Sequence, residues 1–313
     1  MSTQVIVTAP VATNDPETAH RRRVFVGYAL MIATFLALAA YGWDYYTLGT
    51  ADRPASPKYE YLRPSGHIGL ALGYLGLAMF LTIFLYAVRR RWRWLADRGN
   101  SRHWLDFHVM MGVTAPFVIA FHSSFKFSGF AGVAFWIMVL VALSGVVGRY
   151  VYAQIPRSLN AAEISMGELQ ELHQRLARSL AQQSQLPAED LKNVLRLPRP
   201  ERVAKMPAFV ALSYMIGLDV ARFFRIARLR RHATPVGERF STLGGIRRTS
   251  HVEIERAIEA AREQSALNKR VLFLSRAHSM FQLWHVIHRP FSYSFAVLAI
   301  LHIIVVSLLG FVR

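Results

Sequence analysis

Residues 284–312 read WHVIHRPFSYSFAVLAILHIIVVSLLGFV. The stretch is apolar over more than the roughly 20 residues that a helix needs to cross a bilayer, yet it contains His288 and His302. An ionisable group at membrane depth is costly, so it marks a functional site. The two histidines are fourteen positions apart. At about 100° per residue that is four turns less roughly 40°, so both rings leave nearly the same face, roughly 21 Å apart along the axis. Residues 104–125 repeat the arrangement with His108 and His122. Two membrane helices that each carry two histidines at one spacing can clamp two stacked haems.

The rest of the composition agrees with a membrane protein. The chain is 53% hydrophobic with a mean hydropathy of +0.25, high for a soluble domain. Its apolar residues gather into five runs of about the length that spans a hydrocarbon core, at 24–41, 66–88, 104–125, 130–152 and 284–312. The expected fold is all-α, a polytopic helical bundle of five spans with a helical cytoplasmic insert between spans four and five. The net charge of +18 is explained by basic loops retained on the cytoplasmic side, so no nucleic-acid partner is expected. Cysteine is absent, which excludes disulfides, thiolate-held iron–sulfur clusters, cysteine nucleophiles and C-x-x-C-H haem attachment in this chain. The first twenty residues are polar, and no cleavable signal peptide is expected.

Taken in order, residues 1–23 read as a disordered cytoplasmic tail ending in Arg21, Arg22 and Arg23. Span one closes in an aromatic belt of Tyr41, Trp43, Tyr45 and Tyr46. Residues 47–65, with three prolines, read as an external loop. Span two leaves through Arg89-Arg90-Arg91-Trp92-Arg93-Trp94, either a topology anchor or a binder of anionic lipid or an acidic partner. Gly145 and Gly148, near the end of span four, allow close approach of either a macrocycle or another helix. Residues 154–283 carry 21 basic and 12 acidic side chains and read as a basic, helical cytoplasmic domain. Helices are expected at 161–185, 189–195 and 208–231, a loop at 237–250, and a long helix from 251 feeding span five. The segment FVALSYMIGLDV at 209–220 is too short to cross but apolar enough to lie in the membrane surface. The N-terminus is then cytoplasmic and the C-terminus external, as in an inner-membrane protein of bacterial type.

On this topology spans three and five run parallel. His108 pairs with His288 near the cytoplasmic ends, and His122 with His302 nearer the outer ends. Neutral imidazole is a good ligand for haem iron, and two of them fill the coordination sphere, which suits electron transfer. The expected cofactors are two haem b groups with these four histidines as axial ligands. His285, three residues before His288, is the alternative ligand at that site; His288 alone keeps the spacing of fourteen. Gly112, one turn past His108, faces the same side, where a side chain would meet a porphyrin. Pro116, midway between the ligands, is a candidate kink. Arg102, Arg149 and Arg289 near the inner haem edge, and Lys126 near the outer, are candidates for holding propionates, with interfacial snorkelling the other account. His67, His103 and His278 read as interfacial residues, His67 with the alternative of lining a quinone or metal-ion site.

The two quoted motifs, HVMMGVTAPFVIAFH at 108–122 and HRPFSYSFAVLAILH at 288–302, resemble the diheme b-type membrane cytochromes, and most of all the transmembrane module of the ferric reductase and NADPH oxidase group. The resemblance covers residues 66–152 and span five. It implies transmembrane electron transfer through the four ligand positions. In that group flavin and nicotinamide domains follow the last span. Here no G-x-G-x-x-G motif occurs and the sequence ends at Arg313, so the chain is expected to act as the membrane subunit of a multi-subunit oxidoreductase rather than to oxidise NAD(P)H alone. Expected partners are membrane lipid and a soluble redox protein, a flavoprotein or ferredoxin subunit, at the cytoplasmic face. Two other readings stay open: a quinone-linked anchor of a reductase or dehydrogenase, and a non-redox membrane scaffold.

Overall fold

A computed structural model describes residues 16–89, 91–155, 186–235 and 242–310. The expected helix at 161–185, most of the N-terminal tail and part of the loop at 237–250 lie outside the described residues. What is described is helical, with no strand among those residues. In chain order the helices are α1 (Pro16–Tyr46), α2 (Tyr59–Leu62), α3 (His67–Arg89), α4 (Arg93–Ala96), α5 (Ser101–His122), α6 (Gly129–Tyr152), α7 (Ala188–Leu195), α8 (Pro200–Ala204), α9 (Ala208–Ala233) and α10 (Val252–Leu308). Helices α1, α3, α5, α6 and α10 are long and apolar enough to cross a membrane.

The chain divides into two compact units, Met1–Val147 with Ile287–Arg313, and Gly148–Val286. In the first unit α5 packs closely on α3 and on α1. Glycines make the first of these contacts tight. Gly73 and Gly76 recur at helical spacing on α3, and a Cβ on Gly76 would come within 2.5 Å of Ile119 on α5. Met79, Val118, Phe121 and Met138 fill the core between the spans. The apolar part of α10 makes no comparable backbone packing against α5; its contacts with the unit run through side chains such as Phe295, against Phe80.

Two buried arginines hold the connections. Arg53 donates to the carbonyls of Tyr46 (3.2 Å), Leu48 (3.2 Å) and Ser124 (2.5 Å). It thereby pins the α1–α2 loop to the turn after α5, so this loop is an ordered element and not a loose connection. Arg89 donates to Ala96 O (2.7 Å), Gly99 O (3.0 Å) and Ser101 Oγ (2.9 Å). Of the basic run after span two, its first member is therefore a loop clamp and not a surface ligand.

The boundaries of two expected elements shift. Helix α1 starts at Pro16, so Arg21, Arg22 and Arg23 are helical and not part of a tail. Its first turns are tied down by Glu17 to Arg102 (3.0 Å), by His20 to Asp106 (3.1 Å) and by stacking of His20 on His103. Helix α5 runs three residues earlier at each end than the apolar run, because Asn100 caps the amide of Arg102 (3.0 Å) and the chain turns at Ser123. Ser124 and Phe125 then take left-handed φ of 50° and 59°. His122 is consequently the last residue of its helix.

In the second unit the core of α7, α9 and α10 closes on Val194, Leu229, Ile258 and Ala261. A further cluster joins Val151 of α6 and Ala211 and Met215 of α9 to Phe273, Ala277 and Met280 of α10.

Candidate functional site

Helix α3 runs antiparallel to α5 and presents two backbone carbonyls to its histidines. His108 Nδ1 lies 3.1 Å from Ile83 O, and His122 Nδ1 lies 2.7 Å from Gly69 O. Ile83 and Gly69 are themselves fourteen residues apart, so α3 repeats the spacing of the histidines it faces. A carbonyl oxygen only accepts, so each Nδ1 must carry the hydrogen. In the neutral ring the remaining lone pair is then on Nε2, the arrangement that a carbonyl partner enforces on metal-binding histidines. Neither Nε2 has a hydrogen-bond partner among the described residues.

His288 Nδ1 is hydrogen-bonded by another route. Ser144 Oγ donates to Val141 O (2.8 Å), which leaves its oxygen to accept from His288 Nδ1 (2.8 Å). Gly145 sits in ordinary contact with the ring, a Cβ there lying 3.7 Å from Cε1. His302 is half-buried and has no hydrogen-bond partner among the described residues. It lies near His122. An imidazole at this depth with no partner calls for one.

Gly73 is required beside His122, since a Cβ there would come within 2.8 Å of Cε1 and 3.0 Å of Nδ1. Gly73→Val is expected to push the ring off Gly69 O and to cost about 1–3 kcal/mol, the usual penalty for overpacking. A lowered unfolding temperature would register it, and an unchanged one would count against this close approach.

The other expected residues separate clearly. His285 belongs to the second unit. Its Nδ1 bonds Phe281 O (3.1 Å), and its ring packs edge-on to Phe281 and Trp284. Gly112 borders open space, with no atom within 4 Å of a Cβ placed on it. Arg289 is exposed and makes no ion pair or hydrogen bond among the described residues. Arg149 is half-buried and lies in the second unit. Arg102, read as a propionate holder, is spent on Glu17. Lys126 is exposed, and His67 lies against Tyr61. Gly148 takes the indole of Trp284 against its backbone, so it serves helix packing.

Among the described residues no group of three or more histidine, aspartate or glutamate side chains could hold a metal ion. An axial pair needs only two ligands per iron, and the porphyrin supplies the rest. His108 and His122 with Nε2 left over, the bare face at Gly112 and the loosely packed α10 fit such a group. Comparison of the chain with protein-family models, with curated proteins and with solved structures finds no match.

Proposed function

We propose that the chain is a transmembrane electron-transfer subunit, similar to the membrane module of the ferric reductase and NADPH oxidase group. It holds two b-type haems between α5 and α10. His108 and His288 serve one, His122 and His302 the other. The observation that carries the reading is the hydrogen bonding of the rings: three of the four commit Nδ1 to an acceptor and the fourth has no partner. Histidines serving only as interhelical hydrogen-bonding groups would not need Nε2 kept clear on α5.

A bis-imidazole haem supplies one-electron chemistry without an open coordination position. The protein's part is to fix the tautomer through Ile83, Gly69 and Ser144, to keep the rings at two depths, and to surround them with apolar side chains that exclude water. Arg289 is available to a propionate, and Gly112 leaves room for a flat ring. In this reading the N-terminus is cytoplasmic, and the basic segment 154–283 meets a soluble redox partner, its charge mainly raising the encounter rate.

The test is a reduced-minus-oxidised spectrum of the purified chain with pyridine-haemochrome quantification. Low-spin b-type bands at two haems per chain are expected. Folded, colourless protein from a haem-replete host would overturn the proposal in favour of a scaffold.

A further inference from the structure

Helix α9 is apolar on two sides. One side, with Ala211 and Met215, is buried against Val151, Phe273, Ala277 and Met280. Phe209, Ile216, Val220, Phe223 and Phe224 fall within roughly 100° of arc on the opposite side. All five are exposed, Phe209 by 78% and Phe224 by 65%. A bare apolar strip of that length marks an interaction surface.

The packed side meets the ends of two long apolar helices. Val151 is in the last turn of α6, and Met280 precedes the apolar run of α10 by one turn. At the same place Tyr152, Phe281 and Trp284 form a chain of ring contacts, and Trp284 lies on Gly148. Such an aromatic group is characteristic of a membrane–water boundary. Both ends of the strip are flanked by exposed cations, Arg202 and Lys205 before it and Arg231 after it, whereas Arg228 is turned to Asp190 (3.2 Å). Apolar in the middle, basic at the ends and attached to the feet of two membrane-crossing helices, α9 matches the chemistry of a phospholipid surface.

We infer that α9 lies in the plane of the bilayer, with Phe209, Ile216, Val220, Phe223 and Phe224 buried at the headgroup–acyl boundary and the flanking arginines and lysine among lipid phosphates. The inference stands apart from the redox reading, since no haem enters its readout.

The chain has no cysteine, so single nitroxide labels can be placed without background. Phe209→Cys, Val220→Cys, Phe224→Cys and, as a control, Arg228→Cys are made in the full chain. Each is reconstituted in nanodiscs of phosphatidylcholine and phosphatidylglycerol. Accessibility to oxygen and to a water-soluble nickel chelate is then measured. All four positions are exposed, so folding should survive, and a single monodisperse peak on gel filtration checks it. The first three labels are expected about 5–10 Å below the phosphates, accessible to oxygen and shielded from nickel, with the Arg228 position open to nickel. Nickel access at 209, 220 and 224 would overturn the inference in favour of a solvated face. Shielding from both probes would overturn it in favour of a protein partner or a second copy.

Discussion

Replacing His122 by alanine is expected to halve the low-spin b-type absorbance, from two haems per chain to one, and His302→Ala is expected to do the same. In the proposed arrangement two imidazoles and no covalent bond would hold each haem, so losing one imidazole would either empty the site or leave it high-spin, and both outcomes would remove its low-spin bands. The pairing makes a sharper claim in the double variants. His122→Ala with His302→Ala should still retain one low-spin haem, because His108 and His288 are intact. His108→Ala with His302→Ala should retain none, because each pair is broken once. His285→Ala should leave both haems, since that ring is turned to Phe281 O and to the edges of Phe281 and Trp284. Two low-spin haems surviving in His122→Ala, or equal losses in the two double variants, would sink the assignment. Ser144→Ala offers a milder comparison. It removes the acceptor at His288 Nδ1, and outer partners of this kind typically account for 10–100-fold in metal affinity.

The spans were legible because runs of about 20 apolar residues have few alternatives to a membrane-length helix. The histidine spacing was legible for the same reason: an ionisable side chain stands out against that background. The partners of those histidines were not. Ile83 and Gly69 act through backbone carbonyls, which every residue has, so nothing in their side chains marks them. Gly73 and Gly76 did leave a signal, glycine at helical spacing on the face towards α5. Ser144 left another, a hydroxyl in an otherwise apolar run. Arg102 shows the converse. Its basic side chain near a span end suggested a carboxylate from a ligand, whereas its carboxylate is Glu17, 85 positions away. Pairing across such a distance depends on how α1 meets α5, and no local pattern encodes it. The same holds for Arg89, whose charge suggested a surface role, and for Arg53: the guanidinium groups of both tie loop carbonyls. The 209–220 segment was legible as apolar but short; which of its faces packs inward became visible only once Ala211 and Met215 were placed against Phe273 and Ala277.

Asp219→Ala is expected to give the largest loss of stability in the unit that holds α9, about 3–5 kcal/mol, the range for breaking a buried ion pair from one side. Asp219 accepts from Lys269 Nζ (2.6 Å) and from Tyr150 Oη (2.6 Å), and pairs with Arg222 (2.9 Å). Lys269 is only 3% exposed. Without the carboxylate its ammonium keeps only Tyr150 among the described residues, 3.5 Å to Oη and 5.6 Å to the ring centroid, and a buried cation so poorly compensated is costly. Replacing both members by apolar residues, Asp219→Leu with Lys269→Met, should recover most of the loss, because the desolvation cost of the pair goes with its attraction. The acid limb tests the same contact. Burial pushes the Asp219 carboxyl up, but the hydrogen bonds from Lys269 and Tyr150 and the charges of Lys269 and Arg222 outweigh it, so the group is held below its ordinary value. A depressed carboxylate contributes stability that is fully present above the unfolded value, about 3.9, and is lost as pH falls through the folded one. Wild-type protein should therefore lose stability on acidification below about pH 4, and Asp219→Asn, already weaker at neutral pH, should lack that component. Thermal unfolding in detergent followed across pH would measure both effects. An Asp219→Ala variant within about 0.5 kcal/mol of wild type, the level of an ordinary surface change, would show that Lys269 finds another partner once Asp219 is gone.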